Sequence, residues 1–374
     1  MPDQLFLSRP VIITSKDKIA LLTIQMHPVK VMGMDQKRIA LVGYGNVGKA
    51  LVDMLSGVDP SGKRFVFSAV CSRSLGVVRL KDSSPKGVEK KLKSQKDEAK
   101  AYNPEARVAE IKSYLKDGDY DILIEATSAD YRTAEPARTY ILTALDRGID
   151  VVTCNKAPIA LDFKELREAA ARSNASFKFE STVMDGTPVF SMFKGMPPVK
   201  LMKIRGVFNS TTSIIIDTMR EGKNFTQGLK KAKAAGVAET DPDNDLSGMD
   251  SAAKLVILCN ALGGMQIGFR DVKTEQITED LLKRTIAGVK GDRCVRVRQV
   301  ASANFESKEF KVQLEVLRPE DMLFSCTGAT NAAIFSMDLF GELVIAERDP
   351  TLRETAFGIY SDIVDLYTKD ACYY

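Results

Sequence analysis

The chain has 374 residues, 44% hydrophobic and 27% charged, with 25 Gly and 14 Pro, a balance that fits two or three globular domains and excludes collagen-like, low-complexity and disulfide-scaffold chains. Lys and Arg total 53 against 49 Asp and Glu, so the net charge of +4 is too dilute to point to nucleic acid. A single histidine, His27, argues against His-based metal sites and Ser-His-Asp chemistry, leaving proton transfer to Lys, Asp, Glu or Tyr.

Residues 1–36 read as an N-terminal extension, with VIIT and IALLTIQM as short strands around SKDK. The opening MPDQLFLSRP has no basic segment leading into an apolar core, so no signal peptide is expected. No run approaches 18 apolar residues, so no membrane partner is expected either. The six cysteines form no CxxC pair, and a reduced, cytoplasmic protein is expected.

From Lys37 the pattern is regular. RIALVGYG predicts a buried strand, NVGKALVDML a helix and RFVFSAVCSRS a second strand. Residues 81–110 are Lys-, Glu- and Ser-rich and predict a solvated helix or a flap. DILIEATS is a third strand, ARTYILTALDRG a helix, and DVVTCNKAPIAL a strand and loop. DFKELREAAARS is an amphipathic helix and FKFESTV a strand. Strands alternating with helices predict a Rossmann-type doubly wound parallel sheet, the fold class α/β, with ligands at the strand C-termini. After Pro188, KLMKIRGVF, DRCVRVRQV and FKVQLEVLRP are strands with fewer helices between them, a second, α+β domain. TLRETAFGIYSDIVDLYTKD is a terminal amphipathic helix. The expected division is 1–36, 37–165 for dinucleotide binding with helix 350–374, and 166–349 for substrate and dimerisation.

Gly43, Gly45 and Gly48 form G-x-G-x-x-G between the first strand and its helix, which Asn46 and Val47 open. The first glycine permits the turn, the second lets a pyrophosphate approach, and the third lets helix sit on strand, with the helix N-terminus facing the anion. After the second strand an NAD site would place Asp or Glu. Here stand Ser72, Arg73 and Ser74. An arginine flanked by hydroxyls suits a 2′-phosphate, so NADP is expected, with NAD as the alternative and a solvated surface arginine as the bland reading. Thr127 and Ser128 end the third strand. Lys156, the only charge in VVTCNKAPIAL, follows the fourth, where it is either simply solvated or faces hydride transfer.

GVAETDPDNDLSGMDSAAKLVILCNALGG crowds Glu239, Asp241, Asp243, Asp245 and Asp250 ahead of Lys254. The helix expected from about Ser251 to Leu262 is apolar nearly all round, hence buried, with Lys254 its only charge. Asp250 lies one turn earlier on the same face. A buried ammonium needs carboxylates. The group is either a proton donor in a cleft or a structural ion pair fixing loop to helix. It is not an EF-hand: Leu246 stands where Gly is required and Ala252 where Glu is required.

GYGNVG, CNKAPIAL, ESTVMDGTPVF, GVFNSTTSIIIDTM and above all GVAETDPDNDLSGMDSAAKL resemble homoserine dehydrogenase, over residues 38 to about 345. The resemblance implies reversible reduction of L-aspartate 4-semialdehyde to L-homoserine by NAD(P)H, a homodimer, and a C-terminal helix folded back on the nucleotide domain. It makes Lys254 the proton-relay lysine and Lys156 a second lysine near the nicotinamide. It makes Glu239, Asp250, Asp245 and Thr211 substrate ligands, and Glu180, Val183 and Asp185 a turn for a monovalent cation such as Na+, built largely from backbone carbonyls. Two segments depart from the family: Ser210 and Ser213 stand in its NGTTN-like loop, and ERDPTLRE, residues 347–354, replaces a GPGAG-like closure. Two other readings stay open: a related NADP oxidoreductase acting on another small amino-aldehyde, hydroxy acid or keto acid, and a non-catalytic NADP-binding module.

Overall fold

The computed structural model describes residues 11–15, 18–22, 36–59, 64–95, 103–237, 242–292 and 294–367. The first 35 residues form a unit of their own, in which β1 (Val11–Ser15) and β2 (Lys18–Leu22) pair antiparallel with Val11 opposite Leu22. Residues 36–374 form the second unit.

The nucleotide-type sheet starts at β3 (Lys37–Val42), whose last four residues are fully buried, as a strand covered on both faces requires. α1 (Asn46–Val58) buries Gly48, Leu51, Val52 and Leu55, the stripe of a helix lying on a sheet. β4 (Phe65–Ser72) pairs parallel with β3, and β5 (Gly76–Ser83) turns back antiparallel beside it. The charged stretch that follows splits into two helices, α2 (Pro85–Gln95) and α3 (Pro104–Asp117), where one helix or a flap is predicted. Pro104 at the first turn and an Asn103 cap start α3, chemistry that charge composition masks. β6 (Ile122–Glu125), α4 (Ala137–Leu145), β7 (Asp150–Thr153), α5 (Lys156–Ser173) and β8 (Phe177–Lys178) complete the layer. The strand order is β5-β4-β3-β6-β7-β8. It reverses direction between β3 and β6, and a doubly wound sheet opens its ligand crevice at such a point.

Two local expectations differ. KAPIAL is the first turn and a half of α5, not a loop, because the Asn155 side chain caps it by accepting the Ala157 N–H at 3.1 Å. FKFESTV keeps only two strand residues before a 3-10 turn at Glu180–Thr182. The Glu180 carboxylate causes that turn by accepting the N–H groups of Phe190 and Ser191 at the start of α6 (Val189–Gly195).

The second layer is a six-stranded sheet ordered β10-β12-β11-β9-β13-β14. Its strands are β9 (Leu201–Val207), β10 (Val272–Thr274), β11 (Arg296–Asn304), β12 (Glu309–Leu317), β13 (Asn331–Met337) and β14 (Gly341–Glu347). All neighbours are antiparallel except β10 and β12. The helices are α7 (Ser210–Arg220), α8 (Phe225–Ala234), α9 (Asp243–Leu246), α10 (Met249–Ala261) and α11 (Glu279–Gly288). α10 lies on the sheet, and its Leu255, Val256 and Cys259 share one core with Ile204, Phe208, Ala301 and Phe335. Ile159 and Ala160 of α5 belong to that core too. The boundary expected at 165/166 therefore falls inside a helix whose first turns pack on the second layer. α12 (Leu352–Tyr367) returns along α1, with Tyr360 set edge-on to Phe65 at 6.3 Å. No described helix is long and apolar enough to cross a membrane.

Candidate active site

At the mouth of the first sheet the three glycines have separate reasons to be glycine. Gly43 has φ +105°, and a Cβ there would stand 2.3 Å from the Ala126 carbonyl oxygen. A Cβ on Gly48 would meet the Gly43 carbonyl oxygen at 2.2 Å. Gly45, by contrast, faces open space. It ends the turn at α1 with no side-chain cap, so the first N–H groups of α1 point outward unmatched. Space above Gly45 plus unmatched donors is what a pyrophosphate needs. Asn46 and Val47 are the first two residues of that helix. Arg73 is exposed, at the tip of a turn closed by the Ser72 hydroxyl, which accepts the Leu75 N–H at 3.1 Å.

The glycine turn leads directly to the lysines. Gly43 abuts Ala126 and Thr127. The Asn155 amide donates to the Thr127 carbonyl and hydroxyl, both at 3.3 Å, and reaches the Ser128 carbonyl at 3.5 Å. Beneath them lies Glu125, fully buried, whose carboxylate accepts from the Thr127 N–H (2.8 Å), the Thr127 hydroxyl and the Thr153 hydroxyl (2.8 Å). Burial pushes this carboxyl above the usual range, and those hydrogen bonds only partly oppose it. Thr127 and Ser128 are thus held from below, and Lys156 follows Asn155 as the first residue of α5.

Asp250 is the hub. Its Oδ1 sits 3.3 Å from the Lys156 Nζ and accepts the Tyr131 hydroxyl at 3.3 Å. Its Oδ2 sits 3.3 Å from the Lys254 Nζ and accepts the Asn209 amide at 3.3 Å. Burial opposes this charge, but the two ammoniums outweigh it and hold the Asp250 carboxyl well below the usual range. Lys156 is held above the ordinary ammonium value: with the facing Tyr131 neutral, the charge that does this, against burial, is Asp250. Burial pushes the Tyr131 phenol up, so it stays protonated and donates. The Lys254 side chain is 12% exposed and also donates to the Phe208 carbonyl at 2.5 Å. Two of its three protons are therefore committed, and among the described residues the third has no acceptor.

Asp245 accepts the other Asn209 amide proton at 2.7 Å. Burial, then the charge of Asp250, pushes its carboxyl up. Thr211 is buried and spends its hydroxyl on the Val237 carbonyl (3.1 Å), leaving its N–H in the first turn of α7 without an intrahelical acceptor. Ser210, one of the family departures, is absorbed by donating to the Ala329 carbonyl at 2.8 Å. The Ser213 hydroxyl is buried with no partner. Glu239 lies outside the described residues. Both Glu180 oxygens are committed to the Phe190 and Ser191 N–H groups, and the Asp185 carboxylate accepts the Thr355 hydroxyl at 2.8 Å. These carboxylates are thus already hydrogen-bonded, and the backbone carbonyls of Glu180, Val183 and Asp185 are further oxygens of the same turn. Among the described residues no three His, Cys, Asp or Glu side chains are grouped to hold a metal.

Sequence reasoning misses Tyr131, Asn209, Asn155 and Glu125. The two asparagines carry a signal, since each immediately precedes a helix as an N-cap residue does. Tyr131 carries none.

Comparison with known proteins agrees across both layers. The family model described as homoserine dehydrogenase, NAD binding domain, matches residues 43–180, and that described as homoserine dehydrogenase matches 188–364. Homoserine dehydrogenase of Methanocaldococcus jannaschii is 31% identical over 88% of this chain and 98% of its own. The NAD(+)-dependent homoserine dehydrogenase of Pseudomonas canavaninivorans is 30% identical over 89% and 97%. A hyperthermophilic archaeal homoserine dehydrogenase solved in complex with NADPH superposes with a TM-score of 0.72 at 26% identity, covering 88% of this chain and 97% of its own. The chain belongs to the homoserine dehydrogenase family.

Proposed function

We infer that this member of the family is a nicotinamide-dependent oxidoreductase that interconverts L-aspartate 4-semialdehyde and L-homoserine, with NADP preferred. The observation that carries the reading is the shared carboxylate of Asp250, which holds two ammoniums side by side next to the crevice of the glycine turn. A binding module has no need of a buried lysine pair poised around one acid.

When bound, the nicotinamide supplies or takes up the hydride. Proton movement belongs to the chain. The uncommitted N–H of Lys254 delivers a proton to the substrate oxygen as charge develops there, and Lys156 adds positive potential. Asp250 faces both lysines at 3.3 Å and keeps them aimed. Tyr131 and Asn209 hold Asp250, so its carboxylate does not swing when a substrate arrives. Glu239 takes the substrate ammonium, Asp245 adds a second acid, and the free N–H of Thr211 offers a donor to the substrate carboxylate. Gly43, Gly45, Asn46, Val47 and Gly48 hold the pyrophosphate, Thr127 and Ser128 line the nicotinamide edge, and Arg73 clamps the 2′-phosphate.

The relatives divide between NAD(+) and NADPH. The exposed Arg73 between two serine hydroxyls favours NADP here. Any monovalent cation sits on the carbonyls of the Glu180–Asp185 turn. We place the protein in the cytoplasm as a homodimer; the five free cysteines among the described residues suit a reducing compartment. The decisive experiment is oxidation of NADPH, with NADH in parallel, on L-aspartate 4-semialdehyde. Turnover with NADPH and weaker turnover with NADH is expected. No turnover with either, but turnover of another small aldehyde or keto acid, moves the substrate assignment to that compound.

A further inference from the structure

α7 begins at the catalytic cluster and ends on the wall of a cavity of about 670 Å3, within the range of small-molecule sites. Asp217 and Arg220 of α7, Arg296 at the start of β11, and the loop residue Ala329 line it, with Ile214 and Pro350 as apolar walls. Neither catalytic lysine, nor Asp250, nor the glycine turn is part of the lining.

Two of the acids around this cavity are ion-paired, and the third, Asp349, is held among the described residues only by a backbone N–H. Asp217 pairs with the fully buried Arg298 at 2.8 Å and accepts the Gly328 N–H at 3.0 Å. Asp349 accepts the Ala329 N–H at 3.3 Å, and Glu221 sits 3.3 and 3.8 Å from Lys223 and Lys231. Lys231 is paired with Glu221, but the two arginines of the lining are not matched. Arg220 donates once, to the Asp292 carbonyl at 3.2 Å, and its Nη1 is buried without a partner. The Arg296 guanidinium stacks on Phe324 at 4.8 Å, and its Nε is buried without a partner. Among the described residues neither has a carboxylate within ion-pair distance. Burial holds Arg298 below the ordinary guanidinium value, Asp217 opposes that shift, and the neighbouring Arg296 deepens it. Three guanidiniums thus share one matched acid, and buried charged donors left unmet cost free energy until an acceptor arrives.

We propose that this cavity is a second ligand site, separate from the catalytic cluster, for a small oxyanion: a carboxylate- or phosphate-bearing metabolite with a short apolar body. It acts on catalysis through α7. The carbonyls of Ala329 and Val237, both on the cavity wall, hold the Ser210 and Thr211 hydroxyls that start the helix. Asn209, the next residue back, caps that helix and grips Asp245 and Asp250. A ligand that moves either carbonyl therefore reaches Asp250 within a few hydrogen bonds.

The test is calorimetric titration of the full chain, saturated with NADP+, with inorganic phosphate and with succinate, against chloride at equal ionic strength. One anion should bind saturably, and phosphate against succinate identifies the class. Affinity should fall at least tenfold in Arg220→Gln/Arg296→Gln, while kcat and KM without anion stay within twofold of the parent. The bound anion should also change kcat at saturating homoserine. Binding no better than chloride, or unchanged in the double variant, overturns the site. A raised KM for homoserine without anion makes the cavity part of the substrate path and overturns its separateness. Binding that leaves kcat unmoved overturns the coupling. If the double variant does not fold, the half-exposed Lys231→Gln decides: threefold weaker binding supports the site, and unchanged affinity overturns it.

Discussion

Lys156 of α5 and Asp250 of α10 meet at 3.3 Å, although they arrive from different layers and are distant in the chain. They meet because Ile159 and Ala160 of α5 lie in the same core as α10, which brings the first residue of one helix to the first turn of the other. An ammonium at a helix N-terminus is opposed by the helix dipole, so Lys156 depends on the acid it meets. Asp250→Asn should leave a folded protein with two unscreened ammoniums, and kcat should drop about a hundredfold or more. A variant with parental kcat would remove Asp250 from the mechanism.

The two lysines should separate kinetically. Lys254→Ala should lower kcat by roughly two orders of magnitude or more while NADPH affinity, read by fluorescence, is unchanged. Lys156→Ala should also weaken the cofactor, because it follows Asn155, whose amide holds the Thr127 and Ser128 carbonyls. Equal effects of both on NADPH affinity would contradict these roles.

The glycines of the turn make a contrast within one motif. Gly45→Ala faces open space and should leave the melting temperature nearly unchanged while weakening NADPH binding at least tenfold. Gly48→Ala must push a methyl against the Gly43 carbonyl and should lose stability by ~1–3 kcal/mol, on the scale of other overpacking changes. Calorimetry with a fluorescence titration reads both. A stable Gly48→Ala with normal binding would show that the turn yields easily.

Arg73 is exposed, so its replacement costs the fold little. Arg73→Gln should cut kcat/KM for NADPH tenfold or more and leave the NADH value within about twofold. A parallel loss with both cofactors would refute a 2′-phosphate clamp.

Asp362 of α12 accepts the Glu180 N–H at 2.8 Å, and burial pushes its carboxyl up to about 7 from 3.8. A raised folded pKa means the folded state binds the proton more tightly. That contribution to stability is full below about pH 4 and is lost as pH rises through about 7. Asp362→Asn keeps the acceptor and removes the charge, so its advantage in melting temperature over the parent should grow from pH 5 to pH 8. An advantage that does not change with pH rules out titration of this group.

Local chemistry written along the chain was sufficient for the glycine turn, for the buried α10 with its single lysine, and for the Asp250–Lys254 pair, because each depends on residues within a few positions of one another. The strand-and-helix alternation likewise needs only short-range periodicity. The partnership of Lys156 with Asp250, the Tyr131 hydroxyl on the same carboxylate, and the Glu125 cradle under Thr127 were beyond such reading. They arise where two layers share one core, and side-chain contact between distant segments follows from how helices pack, a quantity no local spacing encodes.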